Sequence, residues 1–236
     1  MAFLQTHTNT FFKSLIMKLN SRFIILTFVL FIFTTALTAQ RKDYTPELYV
    51  GANFGAIASM VNFDPAVEQS YLQAYNGGLV FRYIAQKSLG FQSELNYSQR
   101  GWNEVDGNYA RQLNYIELPI MTHFNFGKKF RFFFNIGPKF SYLISEKVLI
   151  NNNIDNTIEQ HAKSAENKLD YGFCGGFGFL YNLKGQVIQF DTRVNYSMTD
   201  VFSNAKKDYF AASNNMNLSV NIGWLMQMKN KKNLSR

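Results

Sequence analysis

Cysteine, proline and long apolar segments are scarce in this sequence. The 236 residues include one cysteine, Cys174, and four prolines. A single cysteine excludes an internal disulfide, and we expect Cys174 to be a small buried side chain in a glycine-rich strand. After residue 40, no uninterrupted apolar run reaches the ~18–20 residues that a membrane-spanning helix needs. If this part of the chain crosses a membrane, it is therefore expected to do so with β-strands.

The amino-terminal segment has the pattern of a secretory signal peptide. Residues 23–37 form an apolar run, Lys18 and Arg22 precede it, and the small residue Ala39 follows it. A basic start, a short apolar core and a small residue at the end are typical of a cleaved leader. The alternative is a permanent transmembrane anchor, but the apolar run is shorter than the ~18–20 residues that a spanning helix needs. We predict a signal peptide over 1–39 with cleavage after Ala39, with Met17 as a better start than Met1, and one domain over 40–236.

The net charge gives little support to a nucleic-acid partner. Three of the 24 Lys and Arg residues lie in the predicted leader, so the formal charge of +8 falls to +5 in the mature chain. The remaining cations are scattered along the chain or grouped at predicted turns such as Lys128-Lys129. A nucleic-acid-binding surface would concentrate them on one face. We therefore expect anionic headgroups or solvent beside them, and no nucleic acid.

Eight stretches after the leader alternate apolar and polar residues. In the third stretch, Phe91, Leu95 and Tyr97 share one face. Gln92, Glu94 and the other even-numbered residues share the opposite face. A period of two indicates β-strands. Short and long connections also alternate along the chain, which is typical of an outer-membrane barrel.

The predicted fold is all-β: an eight-stranded antiparallel transmembrane barrel of the outer-membrane type. An even number of strands places both termini on one side, here the periplasmic side with the short turns. The long loops are expected outside the cell. The first seven strands are predicted at 47–56, 77–86, 89–100, 111–126, 130–143, 170–181 and 187–198, the eighth contains Leu218 and Trp224, and the outer loops are predicted at 57–76, 103–110, 145–169 and 199–214.

The inward faces of these strands carry charges of both signs. An eight-stranded barrel is only wide enough for its own side chains, and buried charges require partners. We therefore predict a structural ion-pair network in the lumen; the alternative is a narrow charged pore or a binding site. The predicted lumenal residues are Arg82, Glu94, Arg100, Glu117, His123, Arg131, Asp191 and Arg193, with Lys139 and Asp170 on the same face.

Catalytic and metal-binding patterns are weak. His123 and Glu117 share the inward face of the fourth predicted strand, but no serine stands out as the third member of a hydrolase triad. His161 has no second histidine nearby, which gives no support to a metal site. We expect no enzymatic activity, no cofactor and no metal. Trp102 and Trp224 are predicted as aromatic anchors at the membrane–water interface.

Several motifs resemble the PorT family of outer-membrane β-barrel proteins from Bacteroidetes. They lie at 77–83 (GGLVFRY), 90–102 (GFQSELNYSQRGW), 115–120 (YIELPI), 137–138 (GP) and 170–172 (DYG). The resemblance spans nearly the whole mature chain and implies a barrel in the outer membrane. The namesake of the family is tied to type IX secretion and gliding.

From these features we expect a structural or interaction role in the cell envelope. The expected partners are outer-membrane lipid and envelope or secretion-machinery proteins. A narrow pore or small-ligand channel is the first alternative, and a lipid-modifying enzyme is the second.

Overall fold

A computed structural model describes residues 44–152, 158–203 and 209–228. The predicted leader, its cleavage at Ala39 and the start at Met17 lie outside the described residues. The strands are β1 (Glu47–Asp64), β2 (Gln69–Ser70), β3 (Leu72–Gln86), β4 (Leu89–Glu104), β5 (Tyr109–Gly127), β6 (Phe130–Asn151), β7 (Leu169–Leu183), β8 (Gln186–Asp200) and β9 (Ala212–Met228), and the short helix α1 is Glu159–Ala162. Within the described ranges, no helix is long and apolar enough to span a membrane.

The eight long strands close into a barrel. Each pairs antiparallel with the next long strand along the chain, and β1 pairs with β9 from Leu48↔Met228 to Asp64↔Ala212. The two-residue β2 adds only to the end of β4. Closure gives every long strand two neighbours, so the sheet has no open edge over most of its height. The predicted eight-stranded antiparallel barrel is confirmed.

Alternation decides which side chains face the lumen. Along β8, Ile188, Phe190 and Val194 are exposed on the outer face, whereas Gln189 and Arg193 are buried inside. The same pattern recurs on the other long strands. The inner surface is therefore polar and the outer surface apolar, the reverse of a water-soluble barrel.

The connections differ sharply between the two ends of the barrel. Tight turns join β3 to β4, β5 to β6 and β7 to β8; in the last, Lys184 and Gly185 both have positive φ (53° and 95°), as a two-residue type I′ turn requires. We name this the turn end, and the described chain enters and leaves the barrel here. The opposite end, the loop end, carries the connections at 65–71, 105–108, 152–168 and 201–211.

The strands extend further toward the loop end than predicted. β1 continues to Asp64 instead of ending at residue 56, and β6 continues to Asn151 instead of ending at 143. In β6 the last eight residues, 144–151, are all exposed. Along the extension of β1 the period of two persists, but the polarity of the faces is exchanged. Ile57, Val61 and Phe63 point inward and are buried. The predicted boundaries were wrong because they assumed an apolar outer face along the whole strand.

Inward-facing glycines on β7 leave room for the backbone of the neighbouring strand β8. A Cβ added to the inward-facing Gly178 would overlap the carbonyl oxygen of Phe190. The outward-facing Gly175 differs, because an added Cβ there would meet only the carbonyl oxygen of Asn135 at 3.9 Å. These two glycines provide a matched pair of positions for alanine substitution, one on each face of β7.

We expect Gly178→Ala to destabilise the barrel by about 1–3 kcal/mol, the usual cost of overpacking. Gly175→Ala should stay within about 0.5 kcal/mol of the wild type. Heat-dependent mobility on unboiled gels measures both, since the folded barrel migrates separately from the unfolded chain. Equal melting of the two variants would contradict the assigned faces of β7.

Candidate functional site

A network around Glu94 crosses the middle of the lumen. Arg193 on β8 forms two parallel hydrogen bonds with the Glu94 carboxylate, at 2.9 and 3.0 Å. β4 and β8 stand opposite each other in the eight-strand ring, so this ion pair spans the lumen. Asn53, Asn96 and Gln92 donate further hydrogen bonds to Glu94. The carboxylate is thus surrounded by five donated bonds, which offset the cost of its burial.

A second network, around Arg100, lies closer to the loop end. Its guanidinium contacts Glu117 on β5 and donates to Asp170 on β7 at 2.7 Å and to Ser141 on β6 at 3.0 Å. Its face also lies over the Tyr115 ring, with 4.6 Å from Cζ to the ring centroid. Arg100 is fully buried. One arginine therefore connects three other strands across the lumen.

Toward the turn end, further polar contacts also join strands that are distant in the ring. Arg82 donates to Gln92 at 2.7 Å and also to Gln189. Arg131 pairs with Glu47 at 3.0 Å at the rim, where both side chains are partly exposed. This pair links β6 to the beginning of β1.

The predicted lumenal residues do not form one continuous cluster. Glu94, Asp191 and Arg193 lie in the first network, and Arg100 and Glu117 in the second. Arg82 is linked to the first network through Gln92, which also donates to Glu94, whereas Arg131 pairs separately with Glu47. The neutral members Asn53, Asn96 and Ser141 were missed, because the sequence pattern gives an inward amide or hydroxyl no distinguishing mark.

His123 does not form a hydrolase triad among the described residues. Its Nδ1 lies 2.7 Å from Asn135 Oδ1, and its ring contacts Phe133 with 5.3 Å between centroids. Glu117, the acid proposed beside it, is engaged by Arg100. The arrangement lacks the nucleophile–base hydrogen bond that such chemistry needs.

An apolar cluster fills the lumen above the Arg100 network. We name it the mouth cluster: Val61, Phe63, Trp102, Tyr109, Leu113, Tyr115, Leu143, Val201, Phe202 and Phe210. Trp102 lies at its centre with no exposed surface, edge-on to Phe63 at 5.3 Å between ring centroids. The loop end of the barrel therefore has a dry core of its own.

The prediction that Trp102 is an interfacial anchor is wrong. Trp102 is even-numbered, like Gln92, Glu94 and Arg100. The alternation along β4 therefore places its side chain inside the barrel with theirs. Trp224 lies on the outer face near the turn end, half exposed, and donates to Gln186 at 3.3 Å. Its position at the membrane interface stays a prediction.

A polar cluster covers the mouth cluster and holds part of the longest loop. Arg111 donates to the carbonyl oxygens of His161 and Lys163 and, at 2.7 Å, to the Tyr109 hydroxyl. His161 Nε2 lies 2.8 Å from Glu104, and its ring stacks on Tyr109 at 3.6 Å. Burial raises the pKa of the Tyr109 hydroxyl above its ordinary value, although the neighbouring Arg111 opposes this. The hydroxyl therefore remains neutral and accepts the Arg111 bond.

The outer face carries aromatic residues at two levels. Exposed tyrosines near the loop end are Tyr75, Tyr97, Tyr142, Tyr171 and Tyr196, and those near the turn end, Tyr83 and Tyr181, accompany Trp224. Tyr75 and Tyr83 are about 26 Å apart along β3 at ~3.3 Å per residue. A strand tilt of about 40° reduces this to about 20 Å along the barrel axis, similar to the ~25 Å apolar band of outer-membrane barrels.

We expect Glu94→Gln to destabilise the barrel by about 3–5 kcal/mol, because it removes the bidentate partner of the buried Arg193 and leaves Asp191, at 3.3 Å, as its remaining counter-charge. The double variant Glu94→Gln/Arg193→Gln should recover part of this loss. Urea unfolding in lipid vesicles measures both. Additive losses in the double variant would argue against direct coupling of the two side chains.

We expect Arg111→Ala to release the loop around residue 163. A hydrogen bond from a charged group stabilises by about 1.5–3 kcal/mol, so tryptic cleavage at Lys163 and Lys168 should become at least about tenfold faster. Gln112→Ala is the control, since among the described residues the Gln112 side chain donates to Asn114 and does not contact the loop. Equal cleavage of the two variants would show that Arg111 does not hold the loop.

Comparison with known proteins agrees with this architecture. Residues 38–203 match the family model described as "Outer membrane protein beta-barrel domain". The structure of OprG from Pseudomonas aeruginosa is similar, with a TM-score of 0.51 and 10% identity over 79% of this chain and 97% of that one. Neisserial surface protein A aligns with a TM-score of 0.44 and 11% identity over 76% and 98% of the two chains. No curated protein matches the sequence.

The family match covers more than half of the chain, and OprG shares the fold. Together with the apolar outer face and the closed polar lumen, these findings indicate that the barrel lies in the outer membrane. The chain belongs to the outer-membrane protein β-barrel domain family.

Proposed function

We propose that the protein is a closed outer-membrane barrel with a structural or interaction role in the cell envelope. The observation that carries this proposal is the filling of the lumen. Two ion-pair networks cross it, and the mouth cluster lies above them. A solute would have to separate buried ion pairs and then pass through a packed aromatic core, both of which are costly.

In this proposal the loop end faces outward and the turn end faces the periplasm. Outer-membrane barrels have long external loops and short periplasmic turns. Both ends of the described chain lie at the turn end, which agrees with periplasmic termini. The surfaces left for partners are then the external loops and the periplasmic rim.

Envelope or secretion-machinery proteins are the proposed partners. The resemblance of the 77–83 and 90–102 motifs to the PorT family supports a type IX-like link. A photo-crosslinking residue at position 106 (loop end) or 87 (turn end) in the native envelope tests this. Crosslinks to secretion components from either position would support the link, and crosslinks to lipid alone from both would oppose it.

A narrow pore is the alternative function, favoured by a neutral strip inside β9. Asn215, Asn217, Ser219 and Asn221 all face the lumen there. Such amide and hydroxyl groups can replace part of the hydration of a small polar solute. This strip runs beside the charged networks, so conduction would depend on space between them.

Planar-bilayer recordings distinguish the two functions. We expect no discrete conductance steps from the wild type, because both networks and the mouth cluster occupy the lumen. Trp102→Ala should stay silent too, since it leaves both ion-pair networks in place. Reproducible steps from the refolded wild type would favour the pore.

A further inference from the structure

Charge is distributed unequally between the two ends of the barrel. Each of the three tight turns carries an exposed lysine, and together they form a set that we name the cationic collar: Lys87, Lys128, Lys129 and Lys184. Glu47 is the one acidic side chain at the turn end of the described chain, and it is paired with Arg131. The collar therefore has no neutralising acid of its own.

The loop end has the opposite balance. Among the described residues it carries eight acidic side chains, Asp64, Glu68, Glu104, Asp106, Glu146, Glu159, Glu166 and Asp200, and four basic ones, Arg111, Lys147, Lys163 and Lys168. If these charges served only to keep the surface hydrated, both signs would be expected at both ends of the barrel. The difference indicates that the turn end meets an anionic environment.

The collar is also held together by backbone contacts. Asn125 N–H donates to the carbonyl oxygen of Ser88 at 3.0 Å, and Asn182 N–H donates to that of Lys129 at 2.9 Å. These bonds join the three turns along one arc of the rim. The three turns that carry the lysines therefore lie side by side along the rim from β3 to β8.

One collar lysine lies at the level of the aromatic residues that face lipid. The Lys129 ammonium is 5.1 Å from the centroid of the Tyr181 ring. Tyr181 is exposed on the outer face near the turn end, as is Trp224. Tyrosine and tryptophan are enriched at the headgroup level of a bilayer, so a lysine beside them is expected at the level of the lipid phosphates.

We propose that the cationic collar binds the headgroups of anionic phospholipids in the leaflet at the turn end. Lysine ammonium groups bind a phosphodiester as point charges, and a juxtamembrane lysine near an anionic surface contributes about fivefold in affinity. The collar would concentrate these lipids around the barrel and fix its depth at this end. Lipid selection at the turn end is independent of whether the lumen conducts.

Trp224 provides the reporter for a direct test. It is one of two tryptophans, and the other, Trp102, is enclosed in the mouth cluster. The full chain is folded into phosphatidylcholine vesicles that contain increasing fractions of dibrominated phosphatidylglycerol or dibrominated phosphatidylcholine. Bromine quenches tryptophan on contact, so the fluorescence of Trp224 reports which lipid surrounds the turn end.

We expect brominated phosphatidylglycerol to associate about three- to fivefold more strongly than brominated phosphatidylcholine. The variant Lys129→Gln/Lys184→Gln should reduce this preference to less than about twofold. Salt at 1 M should also abolish it, since the screening length falls to about 3 Å. The matched variant Lys147→Gln/Lys168→Gln removes two loop-end lysines and should keep the preference.

Equal quenching of the wild type by the two lipids would overturn the proposal, while still showing that Trp224 faces the bilayer. A preference retained in Lys129→Gln/Lys184→Gln would also overturn it, by assigning the selection to cations outside the collar. Loss of the preference in the loop-end variant would contradict the assignment to the turn end.

Discussion

A closed sheet of eight strands leaves an interior that is only wide enough for side chains, and the rest of this structure depends on that limit. The outer face must be apolar because it meets lipid, so half of each alternating strand is left for polar residues. These residues then have to satisfy one another in a narrow space. Arg193 with Glu94 and Arg100 with Glu117 and Asp170 are the result.

The same limit explains why both networks cross the lumen. In a narrow barrel, an arginine is long enough to reach strands two to four places away in the ring, and its planar fork can bind a carboxylate with two bonds. Arg193 does this with Glu94, and Arg100 reaches β5, β6 and β7. Asn and Gln side chains fill the remaining positions and supply the donors that these carboxylates still need. The barrel is therefore held by cross-lumen contacts as well as by its backbone ladder.

The alternation of residues was enough to predict the fold, the strand number and the inward or outward direction of most side chains. It could not predict the partners, since register and stagger decide that Glu94 meets Arg193 instead of the equally inward Arg82. The assumption that apolar residues face outward also failed at the loop end, where the side chains of Val61, Phe63 and Trp102 face the lumen. There water replaces lipid outside the barrel, so an apolar residue gains more by facing the lumen than by facing out.

This exchange of polarity bears directly on function. The lumen changes from a polar interior within the membrane band to an aromatic core above it, and Arg111, Glu104 and His161 hold a loop across that core. In the closed barrel that we propose, each layer would exclude solutes by a different mechanism: the networks by the cost of separating charges, the mouth cluster by dense packing. A barrel built to conduct would need to avoid both. On that proposal, the surfaces left to contact partners are the two ends. The loop end is acidic and carries the long loops, whereas the turn end is cationic and close to the membrane. The contacts that the protein makes are therefore expected to differ in chemistry between its ends.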